Sequence, residues 1–361
     1  MVADAMPTVL WIDDPAADPA ALGGKVASLA EMTAAGFGVP PAFGVTTAAF
    51  ARFAESAALR DAVDGVRAGL DVDDHEAVAA ASRAIGAIVE AAPVPADVAD
   101  AIGAAYARLC ARAGEEGVPV AVRSSAVNED LEGASFAGQY ETYLWIRGAD
   151  EVVANVRRCW ASLFNPAALT YRPSAGAEAV DPLAGMCVGV QQMVPARSAG
   201  VMFTIDPVSG DRSRMVIESC WGLGEGVVKG DVTPDRHRVD KVSLEIVDSE
   251  VGAQTHEYRF DEAARAVGLL TLPGDRVEAP SLSPDEVRAI AELGKRIERH
   301  RGGPQDVEWA VAEDGTLHLL QARPETVWAG RRSAAAAGDA GGSASARVIS
   351  TFMGFGGGSG K

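Results

Sequence analysis

The chain has 361 residues, 48% of them hydrophobic and 23% charged, enough for roughly two domains of about 150 residues each. Thirty-two Lys and Arg face fifty Asp and Glu, a formal net charge of −18, which excludes a general nucleic-acid or anionic-membrane binder. Any anionic ligand must therefore be met by cations gathered locally.

The first 115 or so residues are Ala-rich and read mostly as helices. Asp4, Asp13 and Asp14 stand where a secretory signal would need a basic start and an apolar run. No stretch approaches about 18 uninterrupted apolar residues, so a cytoplasmic chain with no membrane span is expected. Leu22, Val26 and Leu29 share a helical face, with Gly36 as its C-terminal stop before Val39-Pro40-Pro41. Helical runs follow over 50–70 and 75–91, and Pro95 opens another to about Ala113. Val118 to Arg123 reads as a buried strand leading into a polar loop, Ser124 to Gln139, whose small residues would let backbone amides approach a phosphate. Asp150 is placed as the cap of a helix whose apolar face is Val152, Val156, Trp160 and Leu163. Cys187 to Val194 reads as a strand ending at Pro195, and short strands alternate with turns to about 260. Ser283-Pro-Asp-Glu286 is a capping box that opens a helix through Val287, Ile290 and Ile297. After Trp328 the composition falls to Ala, Gly and Ser, the texture of a flexible linker.

The four cysteines, at 110, 159, 187 and 220, show no C-x-x-C pair and read as buried thiols of a reducing compartment. The five histidines show no metal-ligand spacing. Gly222-Leu-Gly-Glu-Gly226 lacks the context of a dinucleotide fingerprint, and the terminal Gly356-Gly-Gly-Ser-Gly-Lys361 lacks the spacing of a P-loop.

The segment richest in chemistry is Gln305 to Arg323. Val307, Trp309 and Val311 alternate with Asp306 and Glu308, and Thr316 to Arg323 forms a second strand. Asp314-Gly315 between them predicts a two-residue hairpin turn. That register places Glu308 opposite Gln321 and Asp306 opposite Arg323, with Cβ atoms about 4.5–5.5 Å apart. A carboxylate beside an amide oxygen suits Mg²⁺, which is held by few protein oxygens and bridges to phosphates. Arg323 adds a planar fork for a phosphate. A solvent-facing hairpin with an ordinary Asp306–Arg323 pair is the alternative. Two further cations suit an anion: Lys25, after Gly23-Gly24 at a helix start, and Arg123, at the end of an apolar strand. Each also has a plain reading, as a surface lysine and as an internal ion pair.

Together these motifs resemble the ATP-binding domain of the phosphoenolpyruvate synthase and pyruvate phosphate dikinase family, which includes rifampin phosphotransferase. The resemblance is carried by Gly23-Gly-Lys25, Val122-Arg-Ser-Ser125, Ser135-Phe-Ala-Gly-Gln139, Arg158-Cys-Trp-Ala-Ser-Leu-Phe164, Trp221-Gly-Leu-Gly-Glu-Gly226, Gln305-Asp-Val-Glu-Trp309 and Leu320-Gln-Ala-Arg-Pro324. It implies an α+β, two-lobed ATP-grasp fold with a helical N-terminal region. The lobes are expected over 1–187 and 188–328, with a flexible tail over 329–361. The resemblance further implies that Lys25, Arg123 and Arg323 hold the phosphates and that Glu308 and Gln321 bind Mg²⁺, or Mn²⁺ in its place. Gly133, Ser135 and Gly138 would cover the phosphates, Gln192, Met193 and Val194 would meet adenine, and Glu218 would lie near the ribose. Family members transfer the β,γ-pyrophosphoryl group of ATP to a histidine on a swivelling domain, releasing AMP. That histidine sits in a Thr-Ser-His context, which this sequence lacks, Thr255-His256-Glu257 being different. The chain is therefore similar to the ATP-binding subunit of phenylphosphate synthase, a split system. It is expected to need a partner subunit with a phosphorylatable histidine, and a small-molecule acceptor. A self-sufficient kinase and a nucleotide sensor are the competing expectations.

Overall fold

The computed structural model describes residues 6–15, 18–56, 58–126, 141–170 and 185–328. The chain folds into two compact units: one holds residues up to Gly36 together with Pro41–Met193, the other Phe37–Pro40 and the chain from Val194 on. The expected division at 187/188 would have cut through a strand. The chain instead passes between units at Met193–Val194, after that strand is complete.

The first unit comprises β1 (Val9–Trp11), α1 (Pro19–Ala34), β2 (Ala42–Val45), α2 (Thr47–Ser56), α3 (Leu59–Arg67), α4 (His75–Ala91), α5 (Ala96–Ala113), β3 (Val120–Ala126), β4 (Thr142–Ile146), α6 (Ala149–Ala161), α7 (Pro166–Thr170) and β5 (Met186–Gln192). Its strands form one antiparallel sheet in the order β1-β2-β5-β3-β4. The helices bury their apolar stripes around Phe50, Phe53 and Trp160, with Phe53 stacked on Trp160 at a centroid distance of 4.8 Å. The helical run expected over 50–70 is two helices, and Ala58 before the second adopts a left-handed φ of 48°. Asp150 lies in the first turn of α6; Gly148 is the N-cap, and its N–H donates to Tyr106 Oη at 3.0 Å. Among the described residues no single helix is long and apolar enough to cross a membrane. The adjoining α4 and α5, apolar enough as a pair, are bent by 79° and pack into the core.

The second unit comprises β6 (Ala196–Phe203), β7 (Arg214–Trp221), α8 (Glu225–Lys229), β8 (Asp235–Asp240), β9 (Ile246–Glu250), β10 (His256–Asp261), β11 (Ala266–Thr271), α9 (Pro284–Arg301), β12 (Gln305–Ala312) and β13 (Leu317–Pro324). Six strands form an antiparallel sheet in the order β13-β12-β6-β7-β8-β9, while β10 and β11 make a separate ribbon. Directly paired residues share a face of a sheet. One row therefore reads Ala322, Val307, Met202, Ile217, His237, and this face is covered by α9, whose Gly294 lies against Met202. The capping box of α9 is complete: Ser283 Oγ accepts from Glu286 N–H, and the Glu286 carboxylate accepts from Ser283 N–H. Val287, Ile290 and Ile297 are fully buried, worth about 1.5–3 kcal/mol each relative to exposure.

His237 lies on the covered face, 3% exposed, with Nδ1 bonded to Ser249 Oγ and Nε2 without a partner among the described residues. Burial lowers its imidazole below the ordinary 6.5, with Asp235 acting the other way. The folded protein thus resists a proton that the unfolded chain accepts, so this contribution lowers stability as pH falls below about 6.5. His237→Gln is expected to lose stability less steeply than the parent between pH 7.5 and 5.5. Denaturant midpoints of the two proteins, compared at each pH, test this while cancelling all shared titrations.

Candidate functional site

The opposite face of the second sheet carries charged and amide side chains on β12–β13 and on β7–β8, with apolar residues of β6 and β7 among them. Its first row runs Gln321, Glu308, Val201, Glu218, Arg236 across five strands. The adjacent row, two residues along each strand, runs Arg323, Asp306, Phe203, Val216, Arg238. Glu308 and Gln321 are thus direct cross-strand neighbours, and so are Asp306 and Arg323.

The hairpin reaches this register by a route that the expected turn does not describe. Ala312 N–H donates to Thr316 O at 2.9 Å, closing a three-residue loop, Glu313-Asp314-Gly315, rather than a two-residue one. Gly315 takes φ 83°, the left-handed position that such a loop requires. The extra loop residue shifts the ladder by one, so Trp309 pairs with Leu319 and Val311 with Leu317. A bulge then falls between Glu308 and Trp309, with Leu320 as the additional residue on β13, and the register returns to Glu308–Gln321. Leu319 consequently faces the buried side with Trp309, while Gln321 faces Glu308, although both are odd-numbered.

Asp306 is 7% exposed and accepts from Arg323 Nε at 2.9 Å through Oδ2; its Oδ1 has no hydrogen-bond partner among the described residues. Burial pushes the Asp306 carboxyl up to about 6 against the lowering effect of Arg323, with Glu308 and Glu325 raising it further. Glu325, which no local motif marks, is itself buried and accepts the N–H groups of Val327 and Trp328. Among the described residues no three His, Cys, Asp or Glu side chains gather as a cage for a metal. The donor set present is a half-buried carboxylate opposite a buried amide, with a spare acid oxygen one row away. That set fits a hard cation that shares its shell with water and phosphate oxygens.

Glu218 is the second acid of the first row, separated from Glu308 by Val201 on β6 and so by about 10 Å at two strand spacings. Its Oε1 accepts from Arg236 Nε and Nη2 at 3.0 and 2.5 Å. Val201 between the two acids, with Phe203 and Val216 of the adjacent row, is buried with Cys220, Val227 and Val232.

In the first unit the structure gathers Lys25, Arg123 and Ser125. Gly23 breaks α1 with φ 65° and ψ 172°, so that Lys25 falls at the start of the helical run that follows. Ser125 Oγ locks the break: it accepts from Val26 N–H at 3.1 Å and donates to Leu22 O at 2.8 Å. Only glycine fits at 23, since a Cβ there would stand 2.0 Å from Ser125 O. Strand β3 runs on to Ala126, beyond the point where the loop was expected to begin. Arg123 and Ser125 lie on one face of it, the face against the start of α1. Lys25 is close enough to act on the buried thiol of Cys159, which burial raises and Lys25 lowers.

Gly133, Ser135 and Gly138 lie outside the described residues. Gln192 and Met193 sit where the chain leaves the first unit, their N–H groups donating to Pro41 O and Pro119 O at 2.9 Å each. Val194 is buried at the start of the second unit. The segment Phe37–Pro40 lies along β13, where Gly38 O accepts from Leu319 N–H at 2.9 Å. Nothing in the local sequence pattern signals that contact or the Arg236–Glu218 pair, because both join distant stretches of chain.

Ser125→Ala removes one hydroxyl and leaves a buried N–H and a buried C=O without that partner. A loss of about 1–3 kcal/mol in unfolding free energy is expected, read from denaturant titration, and Gly23→Ala is expected to lose more.

The family model "Pyruvate phosphate dikinase, AMP/ATP-binding domain" matches residues 19–341. A probable phosphoenolpyruvate synthase of Methanocaldococcus jannaschii is 45% identical over 324 residues, covering 90% of this chain and 27% of that protein. The phosphoenolpyruvate synthase of Aeropyrum pernix is 40% identical over 358 residues, covering 91% and 43%. The prodigiosin synthesizing transferase PigC of Serratia marcescens is 42% identical over 317 residues, covering 88% and 33%. The chain therefore spans less than half the length of each of these relatives. With the α+β fold and the matched region together, the chain belongs to the pyruvate phosphate dikinase AMP/ATP-binding domain family, whose fold is ATP-grasp.

Proposed function

We propose that this chain is the ATP-handling part of a dikinase-type phosphotransferase, and that it passes the β,γ-pyrophosphoryl group of ATP to a histidine on a partner subunit. The observation that carries this reading is the cross-strand pair Glu308–Gln321 beside Asp306–Arg323 on one sheet face, in a chain of an ATP-binding family. Glu308 and Gln321 would hold Mg²⁺, or Mn²⁺, which when bound neutralises phosphate charge and orients the phosphate chain. Arg323 holds a phosphate by its planar guanidinium while Asp306 fixes that guanidinium through Nε. Lys25 and Arg123, on the elements joined by Ser125, supply the cations of the first unit. The loop with Gly133, Ser135 and Gly138 covers the phosphates. Adenine is received at Gln192-Met193-Val194, where base recognition falls to groups other than the Gln192 and Met193 N–H, both already engaged. Glu218 takes the sugar hydroxyls.

In the transfer, an imidazole nitrogen of the partner attacks the β-phosphorus, the bond from that phosphorus to the α,β-bridging oxygen breaks, and AMP leaves with the electron pair. This chain's part is charge stabilisation and in-line positioning. The pyrophosphorylated histidine then loses phosphate by hydrolysis and hands its remaining phosphoryl group to a small-molecule acceptor. The relatives extend well beyond the matched region, and the reading places histidine and acceptor site outside residues 19–341.

Incubation of the purified chain with ATP and Mg²⁺, with and without a candidate histidine-bearing partner, tests the proposal by its products. AMP formed only with the partner is the expected result. ADP from the chain alone would mean a self-sufficient kinase, and ATP binding without any product under every pairing would mean a sensor. Glu308→Ala is expected to cut AMP formation by about 100-fold or more while its unfolding transition stays cooperative. Unchanged turnover in that variant would remove the metal role from Glu308.

A further inference from the structure

Several carboxylates on the face of the second sheet away from α9 are held by arginines, and two of these pairs bear on the proposed site. Asp306 is held by Arg323 across the β12–β13 ladder, and Glu218 by Arg236 across the β7–β8 ladder. The first pair belongs to the phosphate end of the proposed site. The second lies at the other end of the same face, two strands from Glu308, with apolar Val201 between. There a lone carboxylate would be a poor neighbour for a polyanionic ligand, and a mobile one would be a poor acceptor. Arg236 removes both defects. Its charge offsets that of Glu218, and its Nε and Nη2 both converge on Oε1. Both bonds fall on one oxygen, so they anchor Oε1 and leave Oε2 without a bond from the arginine. The Glu218 side chain is 18% exposed and that of Arg236 39%, so the acid is the inner member of the pair and the arginine its outer brace.

We infer that Arg236 is a positioning residue which holds Glu218 as an oriented acceptor, through Oε2, for the sugar hydroxyls of ATP, and so sets selection of ribonucleotides over nucleotides lacking those hydroxyls. This rests on the placement of Glu218 beside the ribose in the proposed function. Arg236 does not touch the nucleotide; it acts through Glu218. A hydrogen bond from a hydroxyl to a fixed carboxylate corresponds to about 10–100-fold in affinity, so the parent chain is expected to prefer ATP over 2′,3′-dideoxy-ATP by that factor.

The test measures dissociation constants of Mg²⁺-ATP and Mg²⁺-2′,3′-dideoxy-ATP by calorimetry for the full chain and for Glu218→Ala, Arg236→Ala, Arg236→Lys and the double alanine variant. The ratio of the two constants is expected to fall towards one in Glu218→Ala and Arg236→Ala and to sit between in Arg236→Lys. The double variant should match Glu218→Ala alone, since a brace has nothing left to hold. A merely structural arginine would weaken both nucleotides together and leave the ratio intact. If Glu218→Ala loses the discrimination but both arginine variants keep it, the positioning role is overturned and the site reading stands. If the parent chain binds both nucleotides equally, or Glu218→Ala keeps the parent ratio, Glu218 is not at the ribose and both fall. Should Arg236→Ala fail to fold, Arg236→Lys alone decides between these outcomes.

Discussion

The register of one β-hairpin is the constraint on which the polar face of the second unit depends. In a strand, moving by a single residue exchanges the two faces, so an acid and an amide meet only if the ladder between them is held to the residue. Here that is achieved by two departures from regularity that cancel. The three-residue loop at Glu313–Gly315 offsets the strands by one, and the bulge at Leu320 restores them before Glu308 and Gln321 are reached. Between the two, Leu317 and Leu319 pack with Val311 and Trp309 on the buried side; beyond them Ala322 continues that side opposite Val307. The hairpin satisfies its core in two registers and keeps one polar row.

The surroundings make that row costly to disturb. β12 is an interior strand, paired to β13 and β6, so both of its edges are engaged. Trp309 is fully buried on the α9 side, and Arg301 at the end of α9 donates to Ala322 O at 3.0 Å and Gln305 Oε1 at 3.2 Å. Gln305 N–H donates in turn to Thr204 Oγ1 at 2.8 Å. The buried Asp306 is tolerated because the half-buried Arg323 bonds to it, an arrangement in which removing the arginine leaves an uncompensated buried acid. In the proposed function a platform held in this way would suit positioning, since groups already in place need no reorganisation as charge moves.

The first unit holds its two cations by another device. A helix start exposes N–H groups and carries a partial positive charge, and here the start is made inside α1 by Gly23 and tied to β3 by one serine hydroxyl. The lysine that follows and the arginine two residues before the serine are thereby fixed to the same pair of elements. The close approach that excludes any side chain at 23 and the hydroxyl bridge are one feature seen from its two sides.

Much of this was legible in the chain itself. Alternation over Gln305–Val311 gave β12 and its two faces, Asp314-Gly315 gave the reversal, Ser283-Pro-Asp-Glu286 gave the start of α9, and the ordered motifs gave the family. These are local signals: period, turn chemistry and capping act over a few residues, and sequence reports them directly. The Leu319-Leu320 doublet, which breaks alternation, was the trace of the bulge, yet it could be resolved only by the partner strand that decides which leucine is in register. Tertiary structure alone decided the rest. The Ser125 bridge spans 99 residues, and the Arg236 brace on Glu218 and the contact of Gly38 with β13 likewise join separate stretches. Such contacts depend on which strands come to lie side by side, and that is set by the packing of whole sheets against their helices rather than by any window of the chain.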